Sequence, residues 1–149
     1  MKFRYVDNII DWTPGRRIRG VKAVSFEEYC MKEPFGGEPR LPETLLLESF
    51  LQLGNWLILL SSDFETMGRV ARISSVRFLD SLRPGERVEM DVSVLRQNPD
   101  GIEFSGEGRV GGRLVIEGFG CLAAFVRAKD FINPVDMKTL FSEIHQPKS

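Results

Sequence analysis

The sequence predicts an α+β domain in which a curved antiparallel sheet wraps one long helix of about residues 42–60. Three observations carry this. The segment Leu41 to Leu60 is apolar almost all round, so a helix there must be covered by other structure. Behind it, the chain alternates apolar and polar residues in short runs parted by turn signals, the period-two pattern of half-buried strands. A chain of 149 residues fits one domain, so the surface that covers the helix is the chain's own sheet.

Taken in order, Phe3 to Ile10 leads into Trp12-Thr13-Pro14-Gly15, where the Pro-Gly pair marks a turn. Ile18 to Phe26 mixes β-branched and basic residues and reads as a strand, and Glu33 to Arg40, with Pro34, Pro39 and Gly36-Gly37, as an irregular loop. Pro42 is tolerated in a first helical turn, and the helix runs from Glu43 to about Leu60. Past a loop around Ser61 to Gly68 come a strand at Val70 to Leu79 and a turn at Arg83-Pro84-Gly85. Val88, Met90, Val92 and Val94 then alternate with Arg87, Glu89, Asp91 and Ser93. Asn98-Pro99-Asp100-Gly101 turns the chain again, and Ile102 and Phe104 alternate with Glu103, Ser105 and Glu107.

Val110-Gly111-Gly112-Arg113-Leu114 reads as a two-glycine hairpin, because primed turns need positive φ. Leu114 to Val126 is apolar for most of its length and should lie deep in the sheet. Residues 127–149 are a C-terminal extension of the single domain. In it, Val135 to Ile144 forms a short helix docked by Leu140, Phe141 and Ile144, and Gln146 to Ser149 should fray. Strand, long helix, then four antiparallel strands is the order of the hotdog arrangement.

Bulk composition excludes little else. Apolar content of 42% with 28% charged residues is that of a globular protein. Twenty basic against 21 acidic side chains give a formal charge of −1, which offers no global attraction for nucleic acid. Cys30 and Cys121 form no CxxC pair and no disulfide framework, and Met1-Lys2-Phe3-Arg4 begins no secretion signal, so a cytoplasmic protein is expected. The apolar helix carries Glu43, Glu48, Gln52 and Asn55, which favours a buried core helix over a membrane span. No metal and no cofactor is implied.

The helix holds the most informative local feature. Thr44, Glu48, Gln52 and Asn55 fall on one face, flanked by Leu45, Leu46, Leu47, Phe50, Leu51, Leu53, Trp56 and Leu57. A carboxylate in such surroundings must be paired, face a polar cavity or lie at an exposed edge. Periodicity alone leaves two readings open: a functional stripe suited to acid–base work, or the side of the helix turned to solvent or a subunit interface.

The stretch from Val24 to Gln52 resembles the active-site segment of FabZ-type 3-hydroxyacyl-thioester dehydratases, which runs roughly V-x-x-N-E-P-F-F-x-G-H-F-P-G-x-P-x-M-P-G-V-L-x-x-E-A-x-A-Q, with no gap. Phe3-Arg4-Tyr5-Val6-Asp7 is similar to that family's F-L-L-V-D opening, and Leu82-Arg83-Pro84-Gly85-Glu86 to its V-x-P-G-D turn, so the likeness spans roughly Phe3 to Val126.

The resemblance implies a hotdog fold and an acyl thioester substrate on acyl carrier protein or coenzyme A. It also implies a homodimer or higher homo-oligomer with the acyl chain in a tunnel at the interface. The reaction implied is reversible loss of water from a 3-hydroxyacyl thioester. A histidine takes the α-proton, a carboxylate of the partner subunit's helix handles the departing hydroxyl, and a backbone N–H at the helix start polarises the carbonyl.

Residue by residue, Glu48 matches the catalytic carboxylate and Gln52 the glutamine one turn on, while Phe35 matches the aromatic after the histidine. Glu43, followed by Thr44, stands where that family has the carbonyl-polarising glycine, so its N–H remains a donor but a side chain crowds the approach. Pro34 occupies the histidine position, and proline can neither take nor deliver a proton.

Substitutes for the histidine are weak. His145 belongs to the frayed tail, and Cys30 and Cys121 read better as buried small residues than as bases. Arg16, Arg17 and Arg19, with Lys22, could dock an acidic carrier, as could Arg69, Arg72 and Arg77 on their strand; solvated charged faces are the plainer reading. Three functions remain: a Glu48-dependent enzyme acting without histidine, as dehydratase or thioesterase; a half-site partner lending Glu48 to a histidine-bearing paralogue in a heterodimer; and a non-catalytic acyl-thioester binder.

Overall fold

The computed structural model describes residues 5–25 and 39–147. Its elements are strands β1 (Asn8–Thr13) and β2 (Arg17–Ala23), helix α1 (Glu43–Ser61), strands β3 (Thr66–Phe78), β4 (Arg87–Asn98), β5 (Gly101–Val110) and β6 (Arg113–Arg127), and helix α2 (Pro134–Ile144). The six strands form one antiparallel sheet in the order β1-β2-β4-β5-β6-β3, packed on α1: the expected α+β hotdog fold. Phe50, Leu53, Trp56, Leu57 and Leu59 of α1 are essentially fully buried against Ile9, Ile18, Val88, Met90, Val92, Phe104, Val115 and Ile116 from the strands. α1 is long and apolar enough to cross a membrane, yet here it is the core helix of this sheet.

Several boundaries fall as the sequence predicts. The alternation in β4 buries Val88, Met90 and Val92 and leaves Arg87 and Glu89 outside. Gly111 (φ 54°) and Gly112 (φ 87°) turn β5 into β6 through left-handed conformations that a side chain disfavours. β6 lies between β5 and β3, deep in the sheet as expected. Asn133 caps α2, its Oδ1 accepting from the N–H groups of Val135 (2.9 Å) and Asp136 (3.3 Å).

Other features differ. Among the described residues two strands precede α1, not one: β1 pairs with β2 across the Pro14-Gly15 turn. A bulge between Ile9 and Asp11 breaks the alternation by which β1 would have been recognised. β2 ends at Ala23, short of the expected Phe26, which lies outside the described residues, and β3 begins at Thr66 rather than Val70. Pro42 caps α1 from outside rather than joining its first turn.

The end of the chain is not frayed at Gln146. Its N–H donates to Ile9 O at 3.0 Å, and His145 bridges β1 at Ile9 while stacking on Phe141 at 4.9 Å between centroids. Phe141 in turn lies 6.1 Å from Trp56 and 6.4 Å from Phe64. The extension therefore covers the C-terminal end of α1.

Candidate functional site

α1 is held so close to the sheet that Gly54 is in direct contact with the Phe104 ring, and this depth sets where the polar residues on either side of it lie. Of the stripe, Thr44 is exposed, Glu48 and Asn55 are half-buried, and Gln52 is 4% exposed. These residues serve two different ends.

Asn55 is structural. Its Nδ2 donates to Gly68 O at 3.0 Å and its Oδ1 accepts from Gly68 N–H at 2.9 Å, so one amide satisfies both backbone groups where β3 begins. Glu48 and Gln52 form a pair: Gln52 Nε2 donates to Glu48 Oε1 at 3.1 Å, one helical turn apart. Gln52 Oε1 accepts the Tyr5 N–H at 3.2 Å. Since a backbone N–H can only donate, the oxygen of Gln52 must face Tyr5 and its nitrogen Glu48. The Glu48 carboxyl is thus hydrogen-bonded, and among the described residues it forms no ion pair, a state in which it can exchange a proton or direct a hydroxyl or water. The part of Tyr5 is played by its backbone, so no side-chain signal in the sequence could have marked it.

Glu43 and Thr44 are exposed in the first turn of α1, and the N–H groups of Leu45 and Leu46 both turn back to Pro42 O, at 3.0 and 3.2 Å. Pro34 and Phe35, expected from the resemblance to stand at and after the histidine position, lie outside the described residues, as does Cys30.

The basic cluster near the N-terminus is dispersed by cross-strand pairing. Arg17 binds Asp91 across β2 and β4, with Nε to Oδ1 at 2.8 Å, and Arg19 binds Asp11 across β1 and β2, with Nε to Oδ1 at 3.0 Å. These carboxylates raise both guanidinium pKa values above their ordinary range through direct hydrogen bonds. Arg16 is exposed, and Lys22 is buried. On β3, Arg77 pairs with Glu117 at 3.7 Å and Arg69 lies over the Phe131 ring at 5.2 Å. Cys121 is fully buried, and its thiol pKa is pushed up to about 11 by desolvation, with Glu103 adding to it. That makes it inert rather than a base. Among the described residues no group of three or more His, Cys, Asp or Glu side chains converges to hold a metal ion.

Residues 1–118 match the family model described as FabA-like domain. The 3-hydroxyacyl-(acyl-carrier-protein) dehydratase FabZ of Caulobacter vibrioides (strain NA1000 / CB15N) is 33% identical over 118 residues, covering 77% of this chain and 74% of that protein. FabZ of Haemophilus influenzae (strain 86-028NP) is 31% identical over 119 residues, covering 77% and 79%. Among solved structures, a hypothetical thioesterase protein with coenzyme A from Streptococcus pneumoniae TIGR4 superposes with a TM-score of 0.64 at 12% identity, over 85% of this chain and 92% of that one. The PaaI protein of Escherichia coli, from the phenylacetic acid degradation operon, gives 0.61 at 12% identity, over 80% and 78%. At that identity the structures share the fold, and α2 lies beyond the residues of the family match.

Proposed function

This chain belongs to the FabA-like domain family, and from that premise we propose that it binds acyl thioesters, on acyl carrier protein or coenzyme A, and supplies the carboxylate half of a 3-hydroxyacyl dehydration site. The observation that carries this reading is the Glu48–Gln52 hydrogen-bonded pair on a buried helix; the resemblance to the dehydratases sets these two residues against their carboxylate and glutamine and Pro34 against their histidine. The Glu48 carboxylate accepts a hydrogen bond from the 3-hydroxyl on binding and, once protonated, hands that proton to the departing hydroxyl, which leaves as water. The base that takes the α-proton comes from a histidine-bearing paralogue in a heterodimer. The S. pneumoniae structure with coenzyme A and a Streptococcus mutans protein bound to acetyl CoA, at 10% identity, lend the fold's capacity for such ligands.

A second subunit fits the sheet's open edge. β1 is flanked by His145, whereas β3 has no strand on its far side among the described residues, and Val70 (42%) and Phe119 (57%) stand exposed on and beside it. An uncovered edge of 13 residues is a template for pairing with another chain, a homodimer when the paralogue is absent.

The test is turnover of 3-hydroxyacyl and saturated acyl thioesters by the purified chain, alone and mixed with a histidine-bearing paralogue. The mixture should dehydrate the 3-hydroxyacyl substrate, and Glu48→Gln in this chain should cost about 10²–10⁴-fold of that rate. Hydrolysis of the saturated thioester by the chain alone would reassign Glu48 to a thioesterase. A Glu48→Gln variant equal to its parent in every condition defeats both readings.

A further inference from the structure

Lys22 is a lysine turned into the interior, 5% exposed on β2. Two residues earlier on the same unbulged strand, a Cβ at Gly20 would come within 2.7 Å of Leu53 on α1, so alternation puts Lys22 on the helix-facing side as well. Its Nζ stands 3.9 Å from Asp7 Oδ2 and 5.9 Å from the centroid of the Tyr5 ring. Asp7 is bound to β2 twice more: its Oδ2 accepts the Ala23 N–H at 2.6 Å and its own N–H donates to Val21 O at 2.8 Å. Residues 5–7 are thereby laid along β2, with the Tyr5 N–H 3.2 Å from Gln52 Oε1.

A desolvated ammonium is costly to keep inside a fold, and an apolar chain of the same length would fill the space without that cost. We propose that Lys22 and Asp7 are positioning residues for Glu48. They clamp residues 5–7 against β2 and so hold the Tyr5 N–H on the Gln52 oxygen, which keeps the Gln52 nitrogen on Glu48 Oε1. Losing the Tyr5 N–H would remove one of the contacts that fix the Gln52 amide and so loosen its hold on the carboxylate. The functional meaning of this strap rests on the reading of Glu48 as the carboxylate that meets the substrate's 3-hydroxyl; its geometry does not.

The side-chain amide resonances of Gln52 report it directly, with those of Asn55, anchored on Gly68, as internal control. In the isotope-labelled full-length protein, Lys22→Met should shift the Gln52 amide pair and speed its hydrogen exchange about tenfold, the scale of one hydrogen bond. Lys22→Arg should leave Gln52 near its parent position, and the Asn55 pair should hold in both. Asp7 is 41% exposed, so Asp7→Asn, which keeps an oxygen for Ala23 and removes the charge beside Lys22, spares the core and should move Gln52 the same way by less.

The proposal is overturned if Gln52 stays put in folded Lys22→Met or Asp7→Asn protein, or if Gln52 and Asn55 loosen together. No substrate enters this readout. An unmoved Gln52 therefore refutes the strap alone, and a silent Glu48→Gln variant in turnover refutes the carboxylate reading alone.

Discussion

Replacing Gly54 by alanine sets two physical effects of opposite sign against each other. Glycine in a helix interior costs about 1 kcal/mol relative to alanine, so propensity alone says that Gly54→Ala stabilises. The space says otherwise. A Cβ at Gly54 would lie 2.6 Å from Cζ, 2.8 Å from Cε2 and 3.2 Å from Cε1 of Phe104. That ring is 2% exposed and packs against Phe50, with 6.2 Å between centroids, so it has no free volume to enter. Overpacking of this kind costs about 1–3 kcal/mol, and two contacts under 3.0 Å put the site at the upper end. The net is a loss of about 2 kcal/mol, or about 4–8 °C in Tm for a chain of this size. Thermal denaturation at fixed protein concentration measures it. Adding Phe104→Leu should return about 1–2 kcal/mol of the loss, a coupling expected only of residues in contact. A Gly54→Ala protein that melts above its parent would refute the close packing that sets the depth of α1.

Three further substitutions read other parts of the fold. Asn55→Ala strips both partners from Gly68 and should cost about 2–3 kcal/mol, with faster hydrogen exchange at the Gly68 amide as its local mark. Phe141→Ala removes the ring between Trp56, Phe64 and His145, costs about 2 kcal/mol for a half-buried phenylalanine, and should let a protease trim the extension while the sheet persists. Cys121 holds its proton to about pH 11 in the fold against 9.0 outside it, so the unfolded state ionises first. The stability present below pH 9 is therefore lost as pH rises from 9 to 11, by about 3 kcal/mol, relative to Cys121→Ala measured over the same range.

Local features were legible in the sequence because they depend on neighbours along the chain. The helix over residues 43–60, the alternation of Val88, Met90 and Val92 and the Gly111-Gly112 turn all came from spacing, and all stand. Features fixed by distant partners were not. Nothing near β3 says that it pairs with β6, whose residues lie about 40–60 positions onward in the register, rather than with β4. Arg17 looked like part of a docking cluster because its partner, Asp91, lies 74 residues away. The polar stripe was visible as a stripe, yet periodicity could not separate Asn55, which satisfies a strand's backbone, from Glu48 and Gln52, which bind each other. His145 looked free for want of any sign that Ile9 would pair beside it.

The claim that Glu48 meets the 3-hydroxyl of a bound thioester is tested most directly by calorimetric titration of two non-hydrolysable acyl-thioether analogues of coenzyme A, one 3-hydroxylated and one saturated. The parent protein should bind the hydroxylated analogue more tightly, and Glu48→Ala should erase that preference, a change of about 10–100-fold for one hydrogen bond to a charged group. Affinity for the saturated analogue should change little. Equal affinity of the parent for both analogues, or a preference that survives Glu48→Ala, would contradict it.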